Sequence, residues 1–98
     1  MAANRLVITG SIIERGALRY TPAGVPVSEA VLQHSSEVVE AGRARRIEME
    51  IPVRALGDAA RWLDATNVGS TVEIEGFLAP KSLKSRATVL HVNQIKFI

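Results

Sequence analysis

Two short segments concentrate the positive charge of this chain. Residues 43–46 read "RARR" and residues 81–86 read "KSLKSR", with no acidic residue in either. They hold half of the twelve basic residues, so the remaining six stand against ten acidic residues, a balance of −4. Such clusters can bind a sugar–phosphate backbone, because each cation neutralises a phosphate and releases a condensed counterion. An ordinary solvated surface is the alternative. The candidate phosphate-binding residues are Arg43, Arg45, Arg46, Lys81, Lys84 and Arg86.

A third segment, "ALRYTPAGVPV" at residues 17–27, places a cation beside an aromatic ring. Arg19 and Tyr20 directly precede a predicted turn at residues 21–24, and Arg15 lies just before the segment. The arginines could contact phosphate, and the tyrosine ring could stack on a nucleobase, which is worth roughly 1–3 kcal/mol per base. Core or turn packing is the other interpretation of Tyr20. Only 4% of the residues are aromatic, so charge must supply most of the affinity for any nucleic acid, which implies a steep salt dependence.

No other set of residues predicts catalysis, a metal site or a bound cofactor. Glu48 and Glu50 share a strand face with arginines nearby, which favours surface ion pairs over an acid–base couple. His34 and His91 fall in separate predicted strands without metal-ligand spacing. Neither a GxxxxGK phosphate loop nor a nucleophile elbow occurs. We therefore expect a protein without enzymatic activity.

Period-two alternation dominates the elements that must position these residues. In 47–54, "IEMEIPVR", and in 71–78, "TVEIEGFL", apolar residues alternate with polar ones, as in half-buried strands. Residues 5–13 and 27–34 are also typical of strands, with less regular alternation. These four strands are joined by segments 14–25 and 37–42 and by one helical stretch.

The last segment, "ATVLHVNQIKFI" at residues 87–98, predicts a fifth strand with an irregularity. Its apolar phase slips between Val92 and Ile95, which indicates a bulge near Asn93 and Gln94. Phe97 is expected in the core.

One segment breaks the strand pattern. Residues 55–65, "ALGDAARWLDA", carry apolar residues at helical spacing, and Asp58 is a plausible N-cap. The order of three strands, one helix and two strands predicts an all-β fold: a five-stranded OB-fold barrel with one short helix between strands 3 and 4. Strand count alone also fits an SH3-like barrel or a small sandwich, and the position of the helix favours the OB fold. In that fold the three charged segments should converge on one groove.

Length and composition fit this architecture. Ninety-eight residues, 47% of them hydrophobic, predict a single domain over 1–98. No apolar run approaches a membrane helix, and the first strand begins too early to leave room for a signal peptide. The absence of cysteine fits a reducing cytoplasm, where we expect the protein to reside.

Several stretches together resemble the bacterial single-stranded DNA-binding protein family. They are "NRLVITG", "LRYTPAGVPV", "IPVRALG", "VGSTVEIEGFL" and "VNQIKFI", in the family's order and over nearly the whole chain. The short length, "LQHSSE" on strand 2 and the ending on strand 5 are similar to one branch, the accessory proteins of the replication restart primosome.

That resemblance implies a homodimer that binds single-stranded DNA and assists the restart helicase at stalled forks, and it leaves other primosome loading proteins open as partners. By position, the cations of 43–46 and 81–86 would contact DNA. Relatives can present aromatic residues on strand 3, where this sequence has Arg43 and Glu48, and the loop at 81–86 is shorter here.

Two further functions stay open. A general single-stranded DNA-binding protein would continue past the barrel into a flexible acidic tail, whereas this sequence ends at Ile98 within the last predicted strand. A protein-docking module with weak DNA affinity would explain the missing aromatic residues on strand 3, but not the clustered cations.

Overall fold

Six strands and one helix make up the protein in the computed structural model, which describes residues 2–98. In chain order they are β1 (Leu6–Arg15), β2 (Arg19–Tyr20), β3 (Pro26–Glu40), β4 (Arg43–Leu56), α1 (Asp58–Asp64), β5 (Thr71–Pro80) and β6 (Thr88–Phe97). No helix within the described residues is long and apolar enough to cross a membrane.

The sheet closes into a barrel. Its strand order is β1-β5-β6-β4-β3-β2, and β1 pairs again with β3, so five strands form a ring while the two-residue β2 flanks β3. All pairs are antiparallel except β4–β6. A closed five-stranded barrel with a helix between its third and fourth strands confirms the predicted OB fold. Only β2 was not predicted, because two residues are too short for a periodic signal.

The barrel interior is filled by aliphatic side chains from every long strand and from α1. Ile12, Leu32, Leu63, Ile74 and Leu90 are completely buried. The helix contributes Ala59, Ala60 and Leu63 to this core, which explains the helical spacing seen in the sequence.

The start of α1 differs from the prediction. Gly57 is the N-cap, with φ of 68°, and Asp58 is the first helical residue rather than the cap. A glycine suits this position because a positive φ costs it little, and the Asp58 carboxylate still lies in the first turn, where the helix dipole favours negative charge.

Strands β3 and β4 continue well past the barrel as a two-stranded arm, residues 33–50. The predicted turn over 37–42 was wrong, since the strands pair without interruption until Glu40 faces Arg43. Only Ala41 and Gly42 form the turn, both with positive φ (52° and 78°), as in a type I′ hairpin. At the base of the arm, His34 Nδ1 donates to the carbonyl oxygen of Thr9, 2.7 Å away, and so ties the arm to β1.

The predicted bulge in the last strand is confirmed. Glu75 pairs with Gln94 and Gly76 pairs with Val92, which leaves Asn93 without a partner residue on β5. Gly76 sits opposite the bulge because a Cβ there would lie 1.7 Å from the carbonyl oxygen of His91. Phe97 is 63% exposed beyond the end of the barrel, so its predicted place in the core was wrong.

Candidate nucleic-acid interface

The segment containing Tyr20 folds as a tight hairpin against β3. Tyr20 pairs with Pro26, and the predicted turn over 21–24 is confirmed by a hydrogen bond from the Gly24 amide to the Thr21 carbonyl at 2.8 Å. The Thr21 hydroxyl also accepts the amide of Val25 at 3.1 Å. Tyr20 is 58% exposed. Its ring is therefore free to contact a ligand and is not part of the core.

A row of five side chains crosses the outer surface of the barrel beside this turn. Strand register places Phe77 on β5 opposite His91 on β6, His91 beside Arg54 on β4, and Arg54 opposite Glu29 on β3. Arg19 on β2 completes the row by pairing with Glu29. Four of the five are charged or titratable, so this row is the electrostatic centre of the surface.

Glu29 holds two arginines at once. Its Oε1 lies 2.5 Å from Nη2 of Arg19, and its Oε2 lies 3.6 Å from Nη2 of Arg54. Partial burial would by itself raise the pKa of Glu29, but the hydrogen bond and charge of Arg19 and the charge of Arg54 outweigh it and lower the pKa. The carboxylate is therefore ionised at neutral pH.

Arg54 is the most buried cation of the row and its hydrogen bonding is incomplete. Its side chain is 21% exposed, against 61% for Arg19. Nη1 donates to the Lys81 carbonyl oxygen at 3.4 Å, a long contact, and the Glu29 carboxylate at 3.6 Å is beyond normal hydrogen-bond distance. Nε is buried without an acceptor. A guanidinium has five N–H donors, and these two long contacts satisfy few of them.

His91 continues the row as a neutral ring. It stacks on Phe77 with ring centroids 5.0 Å apart and an interplanar angle of 11°. Burial, and secondly the positive charge of Arg54, lower the pKa of His91. The imidazole is therefore uncharged at neutral pH and does not repel the neighbouring guanidinium.

The loop between β5 and β6 presents three cations to solvent. A turn between Ser82 and Ser85 and a hydrogen bond from the Lys81 amide to the Ala87 carbonyl, 2.9 Å, fix its backbone. Leu83 and Lys84 occupy the tip of the turn, and Leu83 is fully exposed. None of the cationic side chains of this loop forms an ion pair with any described residue. They are Lys81, Lys84 and Arg86.

Most of the other predicted contact residues are paired with carboxylates. Arg45 lies 2.6 Å from Glu40, and Arg46 lies 3.0 Å from Glu48. Arg43, at the tip of the arm, makes no ion pair within residues 2–98.

Arg15 is turned towards the helix instead. It donates to the backbone carbonyl of Asp64 and approaches the Asp64 carboxylate at 3.2 Å. This residue secures the end of α1 to β1 and is less available to a ligand than Arg19.

The sequence predicted that the charged segments converge on one groove. In the structure they are instead spread along β4. Because β6 runs parallel to β4, the 81–86 loop projects from the barrel in the same direction as the arm. Its contact with β4 is at Arg54, however, about 26 Å along the strand from Arg46 and about 36 Å from Arg43, at ~3.3 Å per residue. A ligand that contacted Arg54 and the tip of the arm at once would have to be an extended chain.

The outer face of the arm between these points is acidic. Glu48 and Glu50 project from β4 on the same face as Arg46, and Glu37 faces Arg46 from β3. These three carboxylates disfavour a phosphate chain along this stretch. The free positive charge nearest the barrel is therefore that of the 81–86 loop, whose backbone contacts Arg54.

The sequence did not predict Arg54 and Glu29 as interacting residues of this surface. Arg54 ends the alternating segment "IEMEIPVR" on its outward phase, which marks it as a surface residue. Its neighbours come from β2, β3 and β6, which lie far apart in sequence, so only the register of the folded sheet brings them together.

Comparison with known proteins agrees with the barrel and its loops. A family model described as "another single-strand binding protein family" matches residues 4–94. Replication restart protein PriB of Bordetella pertussis is 45% identical over 95 residues, which cover 97% of this chain and 89% of the relative. PriB of Nitrosomonas europaea is 41% identical over 95 residues, 97% of this chain and 88% of the relative.

A solved structure of PriB from Ralstonia solanacearum superimposes with a TM-score of 0.89 at 37% identity, covering 99% of this chain and 100% of the other. The fold and its outer surface thus define an OB-type binding protein. The chain belongs to the single-strand binding protein family, in the branch that contains the replication restart proteins PriB.

Proposed function

We propose that this protein binds single-stranded DNA as a non-enzymatic accessory protein of the replication restart primosome and assists the restart helicase at stalled forks. Family membership supports the DNA-binding role, and the PriB relatives support the role in restart. We expect the protein to act in the cytoplasm, where bacterial replication takes place.

The observation that carries the proposal is the unpaired charge on the 81–86 loop. Three cations without acidic partners stand on the loop whose backbone contacts Arg54, and Arg54 shares the Glu29 carboxylate with Arg19 on the outer face of the OB barrel. In OB folds the ligand binds on the face of the second and third strands, between two flanking loops. Cations contact phosphates and an exposed aromatic ring stacks on a base, independently of base sequence.

We further propose that the protein works as a homodimer. Val38, Val39 and Met49 are exposed apolar residues of the arm, and the arm itself has little buried core. Covering them would remove apolar surface from water. The helicase, and other primosome loading proteins, are proposed as protein partners from the relatives' role in replication restart.

The test is the binding of labelled single strands of several lengths across a salt series. We expect the triple variant Lys81→Ala, Lys84→Ala, Arg86→Ala to lose most of the affinity. The slope of log Kobs against log salt should become shallower by up to about 2, since each neutralised phosphate of a single strand contributes about 0.7.

The matched control is the double variant Arg45→Ala, Arg46→Ala. Both arginines already have carboxylate partners, so the double variant should reduce affinity much less than the loop variant. Losses in proportion to the charges removed, three against two, would mean that net charge, and not the loop, determines binding.

The acidic outer face of the arm favours a second candidate, a protein-docking module with weak DNA affinity. Glu48 and Glu50 occupy the part of β4 where a stacking surface would be useful. Micromolar or weaker binding of single strands, unchanged by the triple variant, together with capture of the restart helicase in reciprocal pull-downs, would establish this function instead.

A further inference from the structure

We propose that Arg19 and Arg54 form a phosphate subsite for single-stranded DNA, which the Glu29 carboxylate occupies in the unliganded protein. This inference rests on the proposed function and adds Arg54 as a binding residue and Glu29 as an internal competitor. The carboxylate would thus stand in for a backbone phosphate until DNA arrives.

The argument begins with the unmet hydrogen-bonding capacity of Arg54. A guanidinium that is largely removed from water normally finds acceptors for its donors. Here its two polar contacts are at 3.4 Å and 3.6 Å, and its Nε is buried without an acceptor. The two Nη groups, which make only these long contacts, could donate to an anion that approaches from solvent, whereas the buried Nε is out of its reach.

The geometry of Glu29 is that of a bridging anion. One carboxylate oxygen contacts Arg19 and the other is directed towards Arg54, so a single negative charge spans two guanidinium groups. A phosphate has the same charge with more acceptor oxygens, and arginine binds phosphate in a bidentate manner. A phosphate could therefore satisfy donors of Arg54 that the carboxylate does not reach.

The surroundings favour this position for a DNA strand. Arg54 contacts the backbone carbonyl of Lys81, the first cation of the loop, and Arg54 shares the Glu29 carboxylate with Arg19. On the other side of Arg54 the neutral His91 adds no charge that would compete for the phosphate. A strand held by the 81–86 loop would therefore have Arg54 and Glu29 as its neighbours on the barrel.

Replacement of Glu29 by glutamine is the direct test, because it removes the competing charge and keeps the side-chain shape. In fluorescence-anisotropy titrations with labelled oligothymidine we expect Glu29→Gln to bind about fivefold more tightly near 0.1 M salt. That factor corresponds to the ~1 kcal/mol between two unit charges 4 Å apart in water. The salt slope should steepen by up to about 0.7 as one more phosphate is fully neutralised.

Glu75→Gln is the matched control. Glu75 has the same side-chain exposure as Glu29, 36%, and also forms an ion pair with an arginine, Arg5, at 2.9 Å, but it lies on β5. Both variants change the net charge equally. An equal gain in affinity for both would show a general charge effect and would overturn the subsite.

A double-mutant cycle with Arg54→Gln identifies the residue through which Glu29 acts. The gain from Glu29→Gln should be lost in the Arg54→Gln background, and Arg54→Gln alone should weaken binding. If Arg54→Gln does not fold, as judged by circular dichroism, Arg19→Gln replaces it in the cycle because Arg19 is mostly exposed. A gain that persists in both arginine variants contradicts the proposal.

The outcomes separate this inference from the proposed function. Wild-type binding that depends on the 81–86 loop, combined with unchanged or weaker binding by Glu29→Gln, rejects the subsite and leaves the function in place. Failure of the wild type to bind single strands at any salt concentration rejects the function itself.

Discussion

Arg54 on β4 donates from Nη1 to the backbone carbonyl of Lys81, 3.4 Å away and 27 residues later in the chain. This contact joins the central strand of the binding surface to the loop that carries its free cations. It places the backbone of the first lysine of the loop beside the most buried arginine of the surface.

Tyr20 offers the clearest test of base stacking. We expect Tyr20→Leu to weaken binding of single strands by roughly 1–3 kcal/mol, since an exposed ring that stacks on a base contributes about that amount. Anisotropy titrations at fixed salt measure the loss. Tyr20→Phe keeps the ring and should bind nearly as wild type, whereas an equal loss in both variants would point to the hydroxyl group instead.

Gly76 should not tolerate a side chain. A Cβ would lie 1.7 Å from the carbonyl oxygen of His91 and 2.8 Å from its carbon, so the backbone beside the bulge would have to move. We expect Gly76→Ala to lower the free energy of unfolding by roughly 3 kcal/mol or more, measured by urea denaturation. Gly24→Ala, with φ of 86° but open space around it, should cost only about 1 kcal/mol.

The lowered pKa of His91 predicts that the free energy of unfolding depends on pH below 6.5. Because its pKa is lower in the folded protein than the ordinary value of 6.5, the unfolded chain binds more protons as the pH falls through 6.5. Its contribution is fully present above pH 6.5 and is lost as the pH falls towards the folded pKa. Glu29, with its pKa below 4.5, stays ionised throughout this window.

The measurement is the free energy of unfolding between about pH 8 and 5.5. His91→Phe keeps a ring against Phe77 and removes the titration, so its stability should change less over this range than that of the wild type. An identical pH profile in both proteins would exclude His91 as the source.

A substitution in the turn of the arm should increase the stability of the protein. Ala41 adopts a φ of 52° without being glycine, whereas type I′ turns favour Asn before Gly. We expect Ala41→Asn to stabilise the protein by up to about 1 kcal/mol, a rise in Tm of roughly 4–8 °C for a domain of this size. Ala41→Val should lower the Tm, because a β-branched residue is strained at positive φ. A fall in Tm for Ala41→Asn would contradict the assigned turn.

Features that depend on residues close together in the chain could be predicted from the sequence. The Thr21–Gly24 turn follows from its residue types, and the bulge at Asn93 follows from a slip in the apolar phase, as the structure confirms. The arm could not be predicted, because both faces of residues 37–40 are exposed and no alternation marks them as a strand. The row around Arg54 depends on strand register, which brings together residues far apart in sequence.

The unpaired Asn93 has a consequence for protein engineering. Even-numbered residues of β6 face the interior before it and odd-numbered residues after it, as the pairing of Val92 with Gly76 and of Ile95 with Ile74 shows. Deleting this single asparagine would therefore join the two phases into one regular strand, with Val92 still opposite Gly76 and Gln94 still opposite Glu75. Ile95 would still face inward and Lys96 outward, so the barrel would accept a one-residue gap at this position.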